Sequence, residues 1–283
     1  MGQLALYYGN YADAASLSGG SWAAGLPLNN LKNRMLRRVA RSVDAATTST
    51  QMRIDLGAAQ SIPAIFLGPY NASGGLKYRV RGADNANMTG AIYDSGTVGA
   101  NVVPSLSLAW EDPGFWYGIS SAGEVELRGW IMHFLPSPVT ARYWRIEIDD
   151  TANAAGYLQF GRLMMPKRWQ PAVNYEPGST GLSLEDRTVV QESIGGSEYF
   201  WRRQEPRVFN CSWPYLKETD TYGSALNMMR DIGSSGEVFV VPDPDSTYVQ
   251  RRSFLGRMRS RDAIGQPIPI DYTSYGFEIK EII

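Results

Sequence analysis

Apolar and polar side chains alternate with a period of two along much of the chain. In residues 51–56, Met52, Ile54 and Leu56 alternate with Gln51, Arg53 and Asp55. In 76–81, Leu76, Tyr78 and Val80 alternate with Lys77, Arg79 and Arg81. In 142–149, Trp144, Ile146 and Ile148 alternate with Arg145, Glu147 and Asp149. Successive strand side chains point to opposite faces, so each segment predicts a strand with one buried face. Residues 62–67 are apolar throughout and predict an inner strand; 158–165 predict a closing one.

The stretch 171–182 carries Pro177, Gly178, Ser179 and Gly181 and reads as part of a linker. Beyond it, strands are expected over 187–194, 207–213, 237–241, 248–255 and 275–282, with a turn at 242–245. One helix is expected near 219–232. Thr219 or Asp220 would cap it, Gly233 would end it, and Tyr222, Leu226, Met229 and Ile232 form its apolar stripe.

Composition fits this picture. The 29 glycines and 16 prolines suit many short strands joined by turns, and 43% hydrophobic residues suffice for real cores. A formal net charge of −1 lacks the basic footprint of a nucleic-acid partner. No run approaches the roughly 20 apolar residues of a membrane helix, so no membrane insertion is expected. The opening residues lack a basic run followed by an apolar one, so no signal peptide is expected. With a single cysteine, Cys211, the fold cannot depend on an intramolecular disulfide.

Candidate catalytic groups are sparse. His133 is the only histidine and lies in an apolar run; it reads as structural. Cys211 alternates in phase with Phe209 and Trp213 and reads as core. Glu124 and Glu126, two apart on an expected strand, have a spacing compatible with a glycosidase pair, although a solvated strand face gives the same pattern. No phosphate-binding glycine motif or calcium loop occurs, and no cofactor or metal is expected. The basic cluster Lys32, Arg34, Arg37, Arg38 and Arg41 reads as a solvated or interface face. The loop aromatics say more. Trp110, Phe115, Trp116 and Tyr117 surround a Pro-Gly turn, and Trp22 follows a Gly/Ser-rich loop. These five are the candidate glycan or partner contacts, with core or inter-subunit packing as the competing reading.

Several pieces in series resemble the discoidin, or galactose-binding-like, β-sandwich. They are Asn30-Leu31, Ala40-Arg41-Ser42, Ile54-Asp55-Leu56-Gly57, Tyr78-Arg79-Val80-Arg81, Tyr93-Asp94-Ser95-Gly96 and Ala141-Arg142-Tyr143-Trp144. The resemblance covers 1–168 and implies a jelly-roll sandwich whose end loops often bind glycans. The second half, with Phe209-Asn210-Cys211-Ser212-Trp213, the helix, Val238-Phe239-Val240-Val241 and Tyr275-Gly276-Phe277, resembles the β-rich hub domain of siphophage distal tail proteins. That implies a ring subunit, often hexameric, in a virion tail assembled in the bacterial host cytoplasm. Its partners would be the tail tube, central hub and tail fibres.

The chain is thus expected to be mainly β and non-enzymatic. A discoidin-like sandwich (1–168), a linker (169–182) and a tail-hub β domain with one helix (183–283) would follow one another. Its expected function is a structural part of a bacteriophage tail tip. The alternatives are a carbohydrate-binding adhesin and, third, a glycoside hydrolase using Glu124 and Glu126.

Overall fold

A computed structural model describes residues 2–100, 111, 129–233, 235–266 and 271–283. The candidates Trp110, Phe115, Trp116, Tyr117, Glu124 and Glu126 lie outside the described residues. Mainly antiparallel β structure is found, as the alternating pattern requires, and it divides into two compact units. One is Asn10–Lys167; the other joins Met1–Gly9 to Arg168–Ile283.

The first strand, β1 (Ala5–Tyr8), belongs to the second of these units. The other unit follows with β2 (Ser16–Ser18), β3 (Ala40–Arg41), β4 (Met52–Tyr70), β5 (Lys77–Ala83), β6 (Tyr93–Asp94), β7 (Val98–Gly99), β8 (Ile131–Asp149) and β9 (Gln159–Met164). Strands β4 and β8, 19 residues each, pair from Met52 opposite Ile146 to Leu67 opposite Ile131. Their register shifts between Asp55 and Gln60 and again between Ile62 and Ala64. At one end of this ladder β8 pairs with β5; at the other, β4 pairs with β9. Side chains from both ends meet in one core: Met52, Ile54, Trp144 and Ile146 with Ile65, Leu67, Ile131 and Leu163. The long pair therefore supplies strands to both layers of a sandwich, and its exposed middle carries the bulges that turn the corner.

Arg162 is completely buried in this unit. It pairs with Asp13 at 2.6 Å and donates to the Lys32 carbonyl at 2.6 Å. A buried charge is tolerable only when paired and hydrogen bonded in this way.

The other unit continues with β10 (Lys167–Trp169), β11 (Gly181–Leu184), β12 (Val189–Glu192), β13 (Glu198–Trp201), β14 (Arg207–Lys217), β15 (Val238–Val241), β16 (Phe254–Arg261) and β17 (Tyr272–Glu281). Its seven-stranded sheet runs β10-β1-β15-β16-β17-β14-β11. Phe209, Cys211 and Trp213 alternate into a core shared with Phe254, Tyr275, Phe277 and Ile279, as their phase predicts. Arg207 at the start of β14 and Glu281 at the end of β17 form a buried bidentate pair at 2.6 and 2.9 Å.

Four expectations change. The sandwich does not start at residue 1, because β1 pairs with β15 (Ala5 opposite Val241). Nothing in a four-residue apolar strand reveals a partner more than 200 residues away. The 169–182 segment is no free linker. Trp169 packs edge-on against Trp213 at 5.4 Å, Tyr175 packs on Phe209, and the Trp213 indole donates to the Val173 carbonyl at 3.1 Å. The strand expected over 248–255 begins only at Phe254, since Val249–Arg252 is a helical turn. The expected helix is found, as Glu218–Asp220, a π-helical turn Thr221–Ala225 and Leu226–Ile232, with Gly233 at φ 56° closing it. The π turn inserts a residue and shifts the phase, so Thr221, Ala225, Met228 and Ile232 are buried while Tyr222 is exposed.

Strands β12 and β13 form a separate two-stranded ribbon. Tyr199, Phe200 and Trp201 are 60, 60 and 58% exposed on it. A lone hairpin is marginally stable in water, so this one depends on its root or on a neighbour.

Candidate functional site

Four connections meet at one end of the sandwich. β4 ends at Tyr70 and β5 begins at Lys77; β8 ends at Asp149 and β9 begins at Gln159. Arg41, opposite Gln159, ends β3 there, and Trp22 bridges to the next residue, Ser42. Loops at a sandwich end are not committed to either layer's core, so their side chains are free to meet a ligand.

A buried carboxylate holds these loops together. Asp150 accepts hydrogen bonds from the Ser73 amide and the Asn153 side chain, each at 2.8 Å, and from the Ser73 hydroxyl. Asn153 also donates to the Asn71 carbonyl at 3.1 Å. Asn71 in turn donates to the Tyr157 carbonyl at 3.2 Å and accepts from the Gln159 amide at 2.7 Å. Buried polar groups satisfied in a chain rigidify what they join. The Tyr70 phenol beside them is pushed up to about 12, by burial and then by the Asp150 charge.

Over this network lies a rim of aromatic and cationic side chains. The Arg41 guanidinium sits 3.6 Å above the Tyr157 ring, within cation–π range. Trp22 is half-buried against the core, and its indole donates to the Gly19 carbonyl at 2.9 Å. Flat rings beside guanidinium and amide donors can stack on the C–H face of a sugar and hydrogen bond its hydroxyls.

Trp22 is thus the sequence candidate that the described residues place at this end. Arg41 and Tyr157 were missed as site residues. Arg41 was read with Lys32, Arg34, Arg37 and Arg38 as a solvated face, yet it stacks on Tyr157 and the Lys32 ammonium donates to the Ala15 carbonyl at 2.8 Å. The glycine before Tyr157, with φ 70°, is the one local sign of a tight loop there.

The reactive side chains lie elsewhere. His133 is buried between two phenols: its Nδ1 is 3.2 Å from the Tyr78 hydroxyl and its Nε2 is 2.8 Å from that of Tyr93. Burial lowers its pKa to about 4, so the ring is neutral at pH 7. Cys211 is buried, and burial raises its thiol well above the usual range, which keeps it un-ionised. Both placements match the structural readings of the sequence. Among the described residues no cluster of three metal-ligating side chains occurs.

No protein-family model matches the chain, and no curated protein does. Among solved structures, about half of the chain is similar to carbohydrate-binding modules. A family 32 module from a family 31 glycoside hydrolase of Clostridium perfringens is 12% identical with a TM-score of 0.37; the match covers 56% of this chain and 99% of that one. The family 32 module of C. perfringens NanJ, in complex with galactose, is 14% identical with a TM-score of 0.35, covering 56% and 96%. The Streptococcus pneumoniae fucose-binding module SpX-3 is 10% identical with a TM-score of 0.36, covering 56% and 98%. None of the three is a virion tail protein, and at these scores the likeness carries no weight in the functional reading.

Proposed function

We propose that the protein is a non-catalytic binding protein whose sandwich, residues 10–167, holds carbohydrate at its loop end. The observation that supports this is the stacking of Arg41 on Tyr157 at a loop end fixed by Asp150, Asn153 and Asn71, with Trp22 on the bridge to the neighbouring Ser42. Preorganised loops lose little entropy on binding, which suits weakly interacting ligands such as sugars. The test is a glycan array probed with the full chain. A blank array with folded protein counts against the reading.

The structural role in a phage tail is the second reading, and the ribbon β12–β13 favours it. Tyr199, Phe200 and Trp201 project from both its faces, and a second copy of this chain is the occupant its charges suit. Glu192 and Glu198 face each other toward the tip, whereas Arg187, Arg202 and Arg203 flank the root alongside Asp186 and Glu205. Two ribbons packed antiparallel would set each acidic tip beside the other's basic root. Sedimentation of the purified chain and electron microscopy of particles test it. A monomer at all concentrations, absent from virions, ends this reading.

A further inference from the structure

The outward face of the sandwich carries an arrangement that its own charges do not balance. Arg53 on β4 stands directly opposite Arg145 on β8, and Arg145 stands directly opposite Arg81 on β5. Neighbouring strands lie about 4.8 Å apart, so three guanidinium-bearing positions fall in one row about 10 Å long. Like charges directly opposite each other destabilise a sheet. A solvated face ordinarily alternates signs, as Arg79 opposite Glu147 and then Lys77 opposite Asp149 do at the next two steps along this same face.

The available carboxylates are too few. Glu147 is shared, 2.8 Å from Arg81 and 2.9 Å from Arg145. Asp94 is taken by Arg79. Arg145 also donates to the Gln51 side-chain oxygen. Arg53 is exposed, and among the described residues it has no ion pair. Four arginines therefore face two carboxylates. The Nε–H groups of both Arg81 and Arg145 are buried without an acceptor, although the two side chains keep 20 and 22% of their surface in solvent. Burial above all lowers the proton affinity of Arg145; Glu147, the next largest influence, raises it, and Arg81, Arg53 and Arg79 lower it further.

We propose that the Arg53–Arg145–Arg81 row is a binding site for an oxyanion, the carboxylate or sulfate group of an acidic saccharide. Guanidinium forks match planar and tetrahedral oxyanions through paired N–H donors, and the row offers more donors than its own side chains accept. That the bearer is a saccharide rests on the carbohydrate reading above; that the face takes an oxyanion does not. The row lies on a sheet face, and the aromatic rim lies at the loop end, so different variants remove the two.

The test is NMR titration of the arginine Nε–H signals of the full chain at fixed ionic strength. The probes are glucuronate, sulfate and glucose, with sodium chloride as the reference. Saturable shifts with glucuronate and none with glucose are expected, with binding weakened at least tenfold in Arg53→Met and unchanged in Lys77→Met. Glucuronate binding more tightly than sulfate assigns the site to the saccharide; equal binding assigns it to the anion alone and removes the saccharide clause. Responses no larger than those to chloride, or unaltered in the folded Arg53→Met variant, overturn the proposal. Arg53 is exposed, so that variant does not depend on a core contact. Loss of neutral-sugar binding through Tyr157→Ala alone would leave this site standing.

Discussion

Arg41 and Tyr157 lie 116 residues apart, yet the guanidinium of one stacks 3.6 Å above the ring of the other. The contact exists because β3 pairs with β9, placing Arg41 opposite Gln159, and because Asn71 ties down the loop through the Tyr157 carbonyl. The ring is thereby held half-buried at the end of the sandwich, and Tyr157 is not part of the core cluster. A cation–π pair in such a half-exposed place contributes about 0.5–1 kcal/mol, so its removal should leave the fold intact.

Arg162 should matter far more to stability. Replacing it with Leu would leave the Leu31 and Lys32 carbonyls without their charged donor and Asp13 without its cation, with only Asn10 still donating to it. A loss of about 3 kcal/mol is expected in urea unfolding, since breaking a buried ion pair costs more than the pair contributes. A loss below about 1 kcal/mol would show that these groups find other partners or water.

His133 should make the sandwich sensitive to acid. Its folded pKa is lowered to about 4, against an unfolded value near 6.5. The unfolded chain therefore binds the extra proton first. The contribution of neutral His133 is fully present above pH 6.5 and is lost as pH falls toward 4, by up to about 3 kcal/mol. Urea midpoints between pH 7 and pH 4 should fall in the wild type and flatten in His133→Gln. Parallel curves for the two proteins would place the acid sensitivity elsewhere.

The ribbon should act in association and not in folding. Phe200→Glu and Trp201→Glu remove side chains that are more than half exposed, so unfolding should shift by no more than about 0.5 kcal/mol. Sedimentation velocity should show the wild type associating and both variants monomeric. An association that survives both substitutions would place the contact on another surface.

Much of the architecture was legible in the alternating pattern. Met52, Ile54, Trp144 and Ile146 face the core, and Arg53, Arg145 and Glu147 face out, because a strand permits only these two directions. Long-range pairing was not legible. The partners of β1, the corner made by β4 and β8, and the stacking of Arg41 on Tyr157 depend on which strands become neighbours, and local sequence does not encode that. The ribbon was only half legible. A strand was expected over 187–194, where β12 lies, but none over 198–201, and adjacent apolar residues such as Val189-Val190 and Phe200-Trp201 break the alternation that would tell one face from the other. The helix was placed correctly, but its buried stripe was displaced by a π turn that no residue type announces.

The most direct measurement of the central claim is sugar binding by the full chain and by Tyr157→Ala and Arg41→Ala, followed by calorimetry on the glycans that an array selects. The expected result is saturable binding by the wild type, weakened at least tenfold in both variants, about 1.4 kcal/mol or more, with unfolding midpoints nearly unchanged. Binding that is equally strong in both folded variants, or no binding to any glycan, would contradict it.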